Sequence, residues 1–123
     1  MKFIWSTLHV NDLEESVRFY QEIVGLEVDH RFHAGPGKEI VFLGNGETKV
    51  ELIREEGRAK TSVGPDICWG FEVESVDAML ETLKEKGVPV HSGPFQPNPF
   101  RKFFYILDPN GMRIQFVENL QKA

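Results

Sequence analysis

Five side chains in this sequence are of the kinds that most often do chemistry near neutral pH: the histidines His9, His30, His33 and His91, and the thiol of Cys68. A chelating pair needs both side chains on one face. His30 and His33 stand three apart in a run that reads as a strand, so they face opposite sides. His91 opens a proline-rich stretch read as a loop. His9 stands within an apolar-rich strand-like run and is the histidine best placed to touch a ligand. A cysteine nucleophile needs a base within hydrogen-bond reach, and no histidine falls predictably beside Cys68. It reads as a small cleft-lining or core thiol.

The elements that carry these residues occur twice. In the first half, the run Phe3 to Val10 reads as a strand. A helix follows, capped by Asp12 with Glu15 three residues on, presenting Leu13, Val17, Tyr20 and Val24 at helical spacing and ending at Gly25. Three further strands are expected at Leu26 to Phe32, Glu39 to Leu43 and Lys49 to Arg54, separated by Ala34-Gly35-Pro36-Gly37 and Asn45-Gly46. The second half offers a strand at Asp66 to Val73, a helix bearing Val76, Met79, Leu80 and Leu83, and a stop at Gly87. A short strand near Val88 to Val90 comes next, then a loop at Ser92 to Pro99. Strands at Lys102 to Leu107 and Met112 to Glu118 close the half, joined by Asp108-Pro109-Asn110-Gly111. Matching landmarks (Val10 with Val73, Gly25 with Gly87, Val50 with Ile114) are offset by about 62 to 64 residues, as a duplicated βαβββ unit requires. The expectation is one domain over 1–123, with modules at about 1–55 and 66–119 and a linker at about 56–65.

Composition narrows the partners. The chain has 123 residues, 41% of them hydrophobic, and a formal charge of −5. Nucleic acid calls for a basic face, and here Lys and Arg are scattered among more numerous acids. No apolar run approaches the length of a membrane span, and Met1 to Trp5 gives way to polar residues too soon for a signal peptide. One cysteine allows no internal disulfide, so a cytoplasmic protein is expected.

The motif Val10-x-Asp12-Leu13-x-x-Ser16-x-x-Phe19-Tyr20, then Gly25-Leu26, Val50-Glu51-Leu52 and Asp108-Pro109-Asn110-Gly111 before Ile114, resembles the vicinal oxygen chelate superfamily. This group contains glyoxalase I, bleomycin-resistance proteins and extradiol dioxygenases. The resemblance implies an α+β fold in which two tandem βαβββ modules form a curved mixed sheet around a cleft, and a two-fold homodimer. It also implies one metal ligand from the first and the last strand of each module. Those positions fall on Trp5, Glu51, Cys68 and Gln115. Only Glu51 is an ordinary ligand of the family. Indole has no lone pair to give, a carboxamide is a weak donor, and a thiol prefers softer metals. His9 shares the parity of Trp5 but lies about 13 Å along the strand, too far to substitute.

Strand parity then supplies the lining of the hollow: Trp5, Thr7 and His9, Glu51 and Ile53, Cys68 and Gly70, and Gln115 and Val117. Leu8, Leu52, Phe71, Ile114 and Phe116 should meet the helices. Either Phe103 and Tyr105 or Phe104 and Ile106 face the hollow. This amphipathic lining points to a metal-independent protein that encloses an amphipathic or planar small molecule, with Trp5 and Phe103 or Tyr105 stacking, Glu51 pairing and Gln115 hydrogen-bonding. The alternative is a lyase, isomerase or dioxygenase-type enzyme, with an atypical divalent metal at Glu51 or with Glu51 as general base.

Overall fold

The structure is a computed structural model and describes residues 1–120; residues 121–123 of the expected domain lie outside the described residues. In chain order the elements are β1 (Trp5–His9), α1 (Leu13–Phe19), β2 (Val28–His33), β3 (Lys38–Leu43), β4 (Lys49–Glu55), β5 (Cys68–Glu72), α2 (Val76–Glu85), β6 (Ser92–Asn98), β7 (Arg101–Leu107) and β8 (Arg113–Asn119). One compact unit ends at Ser62 and a second begins at Val63, inside the connector expected at 56–65. Each is a βαβββ unit with a four-stranded mixed sheet, in the order β1-β4-β3-β2 and β5-β8-β7-β6. In both, the first strand pairs parallel with the last and the remaining pairs are antiparallel.

In the first unit the Asp12 carboxylate accepts the Glu15 backbone N–H at 3.0 Å, which satisfies one of the free donors of the opening turn of α1. Leu13, Ser16 and Val17 are buried. The helix then widens into a π-helical turn over Tyr20–Val24, whose Tyr20 ring is fully buried. Gly25 ends it at φ 87°, a left-handed conformation that suits glycine. The Leu26 N–H is used here, donating to the Tyr20 carbonyl at 2.8 Å, so β2 starts at Val28 and not at Leu26. Leu8, Val41, Leu43, Val50 and Leu52 are buried on the sheet face that α1 covers. Arg31 on β2 ties sheet to helix, donating to Glu14 at 2.5 Å and to Glu39 at 2.9 Å. The hydrogen bond to Glu14, then that to Glu39, holds its guanidinium above the usual arginine range.

In the second unit Ser75 caps α2 by accepting the Ala78 N–H at 3.1 Å, and Glu118 on β8 accepts the Val76 N–H at 2.7 Å. Val76 and Leu83 are buried, and α2 packs over β7 and β8, where Phe104, Ile106, Ile114 and Phe116 are buried. Two expectations fail here. Val88 to Val90 is not a strand, and the Ser92–Pro99 stretch is not a loop: its residues Ser92–Asn98 form β6. Pro94 and Pro97 are tolerated because β6 is the sheet's edge, and pairing is confined to Ser92, Phe95 and Asn98, with register shifts between them. His91 therefore leads directly into a strand, its N–H donating to the Tyr105 carbonyl at 2.7 Å. The strand at Asp66 to Val73 is also shorter than expected, spanning Cys68–Glu72. Among the described residues no helix is long and apolar enough to cross a membrane.

The turn between β7 and β8 is built on Asp108, a carboxylate only 5% exposed. Its Oδ1 accepts the backbone N–H groups of Asn110 and Met112, both at 2.8 Å, and its Oδ2 accepts from the Asn110 amide at 3.1 Å. Removing this acceptor leaves two N–H groups in an enclosed turn without their partner. Asp108→Ala should therefore lower unfolding free energy by about 2 to 4 kcal/mol in urea titrations, whereas Pro109→Ala, at an exposed position, should change it by less than about 1 kcal/mol.

Candidate functional site

With α1 on one face of the first sheet, the opposite face carries the side chains of alternate residues. The pairing register sets them in rows. Trp5 lies opposite Lys49, Thr7 opposite Glu51 and His9 opposite Ile53; Glu51 in turn faces Phe42, and Ile53 faces Ile40; His30 and Phe32 complete the rows beside Phe42 and Ile40. A cavity of about 540 Å³ opens on this face, lined by Ile4, Trp5, Asp29, His30, Phe32, Phe42, Glu47, Lys49 and Glu51.

Glu51 is the polar centre of that cavity. Its residue is 9% exposed, and Thr7 Oγ1 donates to its Oε1 at 2.5 Å. The surrounding wall is aromatic. Trp5 meets Phe42 edge to face, with centroids 5.2 Å apart at 70°. The His30 ring stacks on Phe42 at 4.7 Å and on Phe32 at 5.7 Å, nearly parallel in both cases. His30 Nδ1 and Asp29 Oδ2 are 2.6 Å apart. Trp5 at 46% and Phe32 at 43% exposure leave large aromatic surface open.

The matching face of the second unit differs in chemistry. Phe103 and Tyr105 stand on the side of Gln115, while Phe104 and Ile106 are buried on the side of α2. Gln115 Nε2 donates to the Tyr105 hydroxyl at 3.1 Å, and the Arg113 guanidinium lies 4.6 Å over the Tyr105 ring while Nη1 donates to the Pro65 carbonyl at 3.0 Å. Phe95 adds a third ring, 5.7 Å from Phe103. Gly70 leaves room for Gln115, since a Cβ there would come within 3.3 Å of Gln115 Oε1.

Of the side chains singled out from the sequence, Trp5 and Glu51 line the first-unit cavity, and Thr7 supports Glu51 from outside the lining. Ile53 packs with Ile40 and Phe42 one row further along, and His9 lies beyond the cavity lining, with Nδ1 buried and unpartnered. Phe103, Tyr105 and Gln115 cluster in the second unit, Val117 sits beside Phe103, and Cys68 is an exposed free thiol at the start of β5. The sequence reading does not single out Asp29, Phe32, Phe42 or Lys49, and it weighs His30 only as half of a chelating pair with His33. The alternation of His30 and Phe32 was a usable signal. Phe42 was hidden in the unbroken apolar run Ile40 to Leu43, where parity has no contrast to show.

The four positions that would supply a metal shell do not fit one. In the first unit they provide the Glu51 carboxylate and the Trp5 indole, which has no lone pair to donate. In the second they provide a thiol, which prefers softer metals, and the Gln115 carboxamide, a weak neutral oxygen donor. Among the described residues, no three His, Cys, Asp or Glu side chains are grouped so as to hold an ion.

The profile of the Glyoxalase/Bleomycin resistance protein/Dioxygenase superfamily matches residues 2–116. The chain is 34% identical to the protein YraH of Bacillus subtilis, over 76% of this chain and 79% of that one. It is 29% identical to a lactoylglutathione lyase of Haemophilus influenzae, over 97% and 93%. It superposes on the glyoxalase I of Leishmania major with a TM-score of 0.82 at 22% identity, covering 96% of this chain and 86% of that one, a likeness of fold. With two βαβββ units in the same strand order and a match along nearly its whole length, the chain belongs to the Glyoxalase/Bleomycin resistance protein/Dioxygenase superfamily.

Proposed function

We propose that this protein binds a small planar or amphipathic molecule in the first-unit cavity without the help of a metal ion. The observation that carries the reading is the state of Glu51: a carboxylate hydrogen-bonded by Thr7 and set in an aromatic wall, with the indole of Trp5 at the family's ligand position on β1. A carboxylate so placed is a hydrogen-bond acceptor for a ligand. A volume of about 540 Å³ suits a small organic molecule, and rings at Trp5, Phe42, His30 and Phe32 offer it flat surfaces. A charge-assisted bond to Glu51 contributes about 1.5 to 3 kcal/mol, and a cation over Trp5 a further 0.5 to 2 kcal/mol or so. Together these suffice for selective binding.

A second reading, a lyase of the lactoylglutathione type, is favoured by the length over which the named relative aligns and by retention of Glu51 at a family ligand position. It needs a Lewis acid to stabilise the enediolate, and the donor set described above is poor for one.

Two measurements separate the readings. In a thermal-shift screen of flat aromatic compounds run with EDTA, a ligand at a hundredfold excess over its Kd should add about 2.7 kcal/mol of stability. For that ligand, Glu51→Gln should weaken binding about tenfold to a hundredfold by calorimetry, with little change in the unliganded melting temperature. Separately, methylglyoxal hemithioacetal should not turn over on protein supplied with zinc or nickel. Stoichiometric metal together with turnover abolished by Glu51→Gln would overturn the binding reading.

A further inference from the structure

We infer that Asp29 and His30 form a second polar pole of the first-unit cavity, and that the cavity is made for a flat aromatic cation carrying hydrogen-bond donors at both ends. This rests on the binding reading and names its ligand class. Neighbouring residues on a regular strand point to opposite faces. Asp29 and His30 do not, because the register slips between them and β3: Val28 pairs with Leu43 and His30 with Phe42, so Asp29 is an extra residue in a β-bulge. The bulge turns the Asp29 carboxylate onto the His30 ring, 2.6 Å from Nδ1, and both residues line the cavity.

A carboxylate only accepts, so Asp29 places the imidazole proton on Nδ1. Nε2 then has a free lone pair in the neutral ring, and no described side chain donates to it. The ring is held flat against Phe42. Its Nε2 and the Glu51 carboxylate are thus two acceptors on the strands flanking Phe42, separated by an aromatic floor. A ligand that satisfies both presents donors at two ends of a flat body.

The charge at the cavity has the matching sign. Asp29, Glu47 and Glu51 contribute carboxylates, against one ammonium from Lys49, whose Nζ donates to the Gly46 carbonyl at 3.4 Å. An anionic guest meets three carboxylates there, whereas a delocalised cation meets carboxylates and ring faces.

The test uses proflavine, a flat aminoacridine cation with a donor at each end, and anthracene-2-carboxylate, a flat anion of similar size. Both are titrated by fluorescence into the full chain with EDTA, in mildly alkaline buffer. Proflavine should bind at least about tenfold more tightly than the anion. His30→Phe, which keeps a ring and loses the acceptor, should weaken proflavine about threefold to tenfold, and His30→Gln, whose amide oxygen accepts, should restore most of the loss. Asp29 is a positioning residue. Asp29→Ala should move the His30 proton from Nδ1 toward Nε2 in nitrogen-15 NMR spectra, and Asp29→Asn should not. Equal or tighter binding of the anion would overturn the inference and leave the binding reading standing, as would wild-type affinity in His30→Phe or an unmoved proton in Asp29→Ala. Failure of both probes to bind would overturn the inference and count against the binding reading as well.

Discussion

The parallel pairing of β1 with β4 fixes the surroundings of Glu51 on the open face of the first unit. Strands adjacent in space and distant in sequence bring Thr7 beside Glu51, with the Thr7 hydroxyl donating to the carboxylate. Because side chains alternate, a slip of one residue would exchange Thr7 and Glu51 for Leu8 and Leu52 and turn a carboxylate into the helix-packed core. The hydrophobic side forbids that slip: Leu8, Leu52, Val41 and Leu43 are buried on the other face. The polar site is therefore held in register by apolar residues that never touch it.

The two units carry the same scaffold to different ends. In the first, the open face holds a buried acid, stacked rings and a bulged edge strand. In the second, the equivalent rows hold Gln115 bonded to Tyr105 and Arg113 lying over the same ring. Gln115 and the Tyr105 hydroxyl thus satisfy one another within the second sheet. Both units keep the same ladder, whereas the row on the open face differs, since its side chains contribute little to packing against the helices.

How far this was readable from the sequence depended on how local the determining interaction is. Asp12 capping α1, Gly25 ending the π-helical turn and the Asp108 turn are set by contacts within a few residues, and the sequence pattern located all three. Strand parity, with period two, puts Trp5, Thr7 and Glu51 on one face, as the register of β1 with β4 does. It failed where local chemistry is overridden by position in the sheet. Two prolines in Ser92–Asn98 read as a loop, and only the edge location makes a strand of them. It was silent where no contrast exists: Phe42 lies in an all-apolar run, and which of Phe103 and Phe104 faces outward depends on the pairing of β7 with β8, which is a long-range fact.

The Asp29 bulge shows why the cavity's second pole escaped a reading by alternation. A period-two rule assigns Asp29 and His30 to opposite faces, and the rule is right for every regular strand. One inserted residue breaks it locally, and does so at an edge, where losing one ladder position costs little and the bend adds twist that discourages pairing with another chain. The same irregularity thus protects a sheet edge and delivers a carboxylate to the one nitrogen of His30 that the cavity does not need. Edge strands are where a fold can place such a feature most cheaply. β6, the edge of the second unit, has its own register shifts, at Ser92, Phe95 and Asn98, and sets Phe95 against Phe103 and Tyr105. In both units, then, the inner strands fix the frame and the irregular edge strand adjusts which side chains stand on the open face.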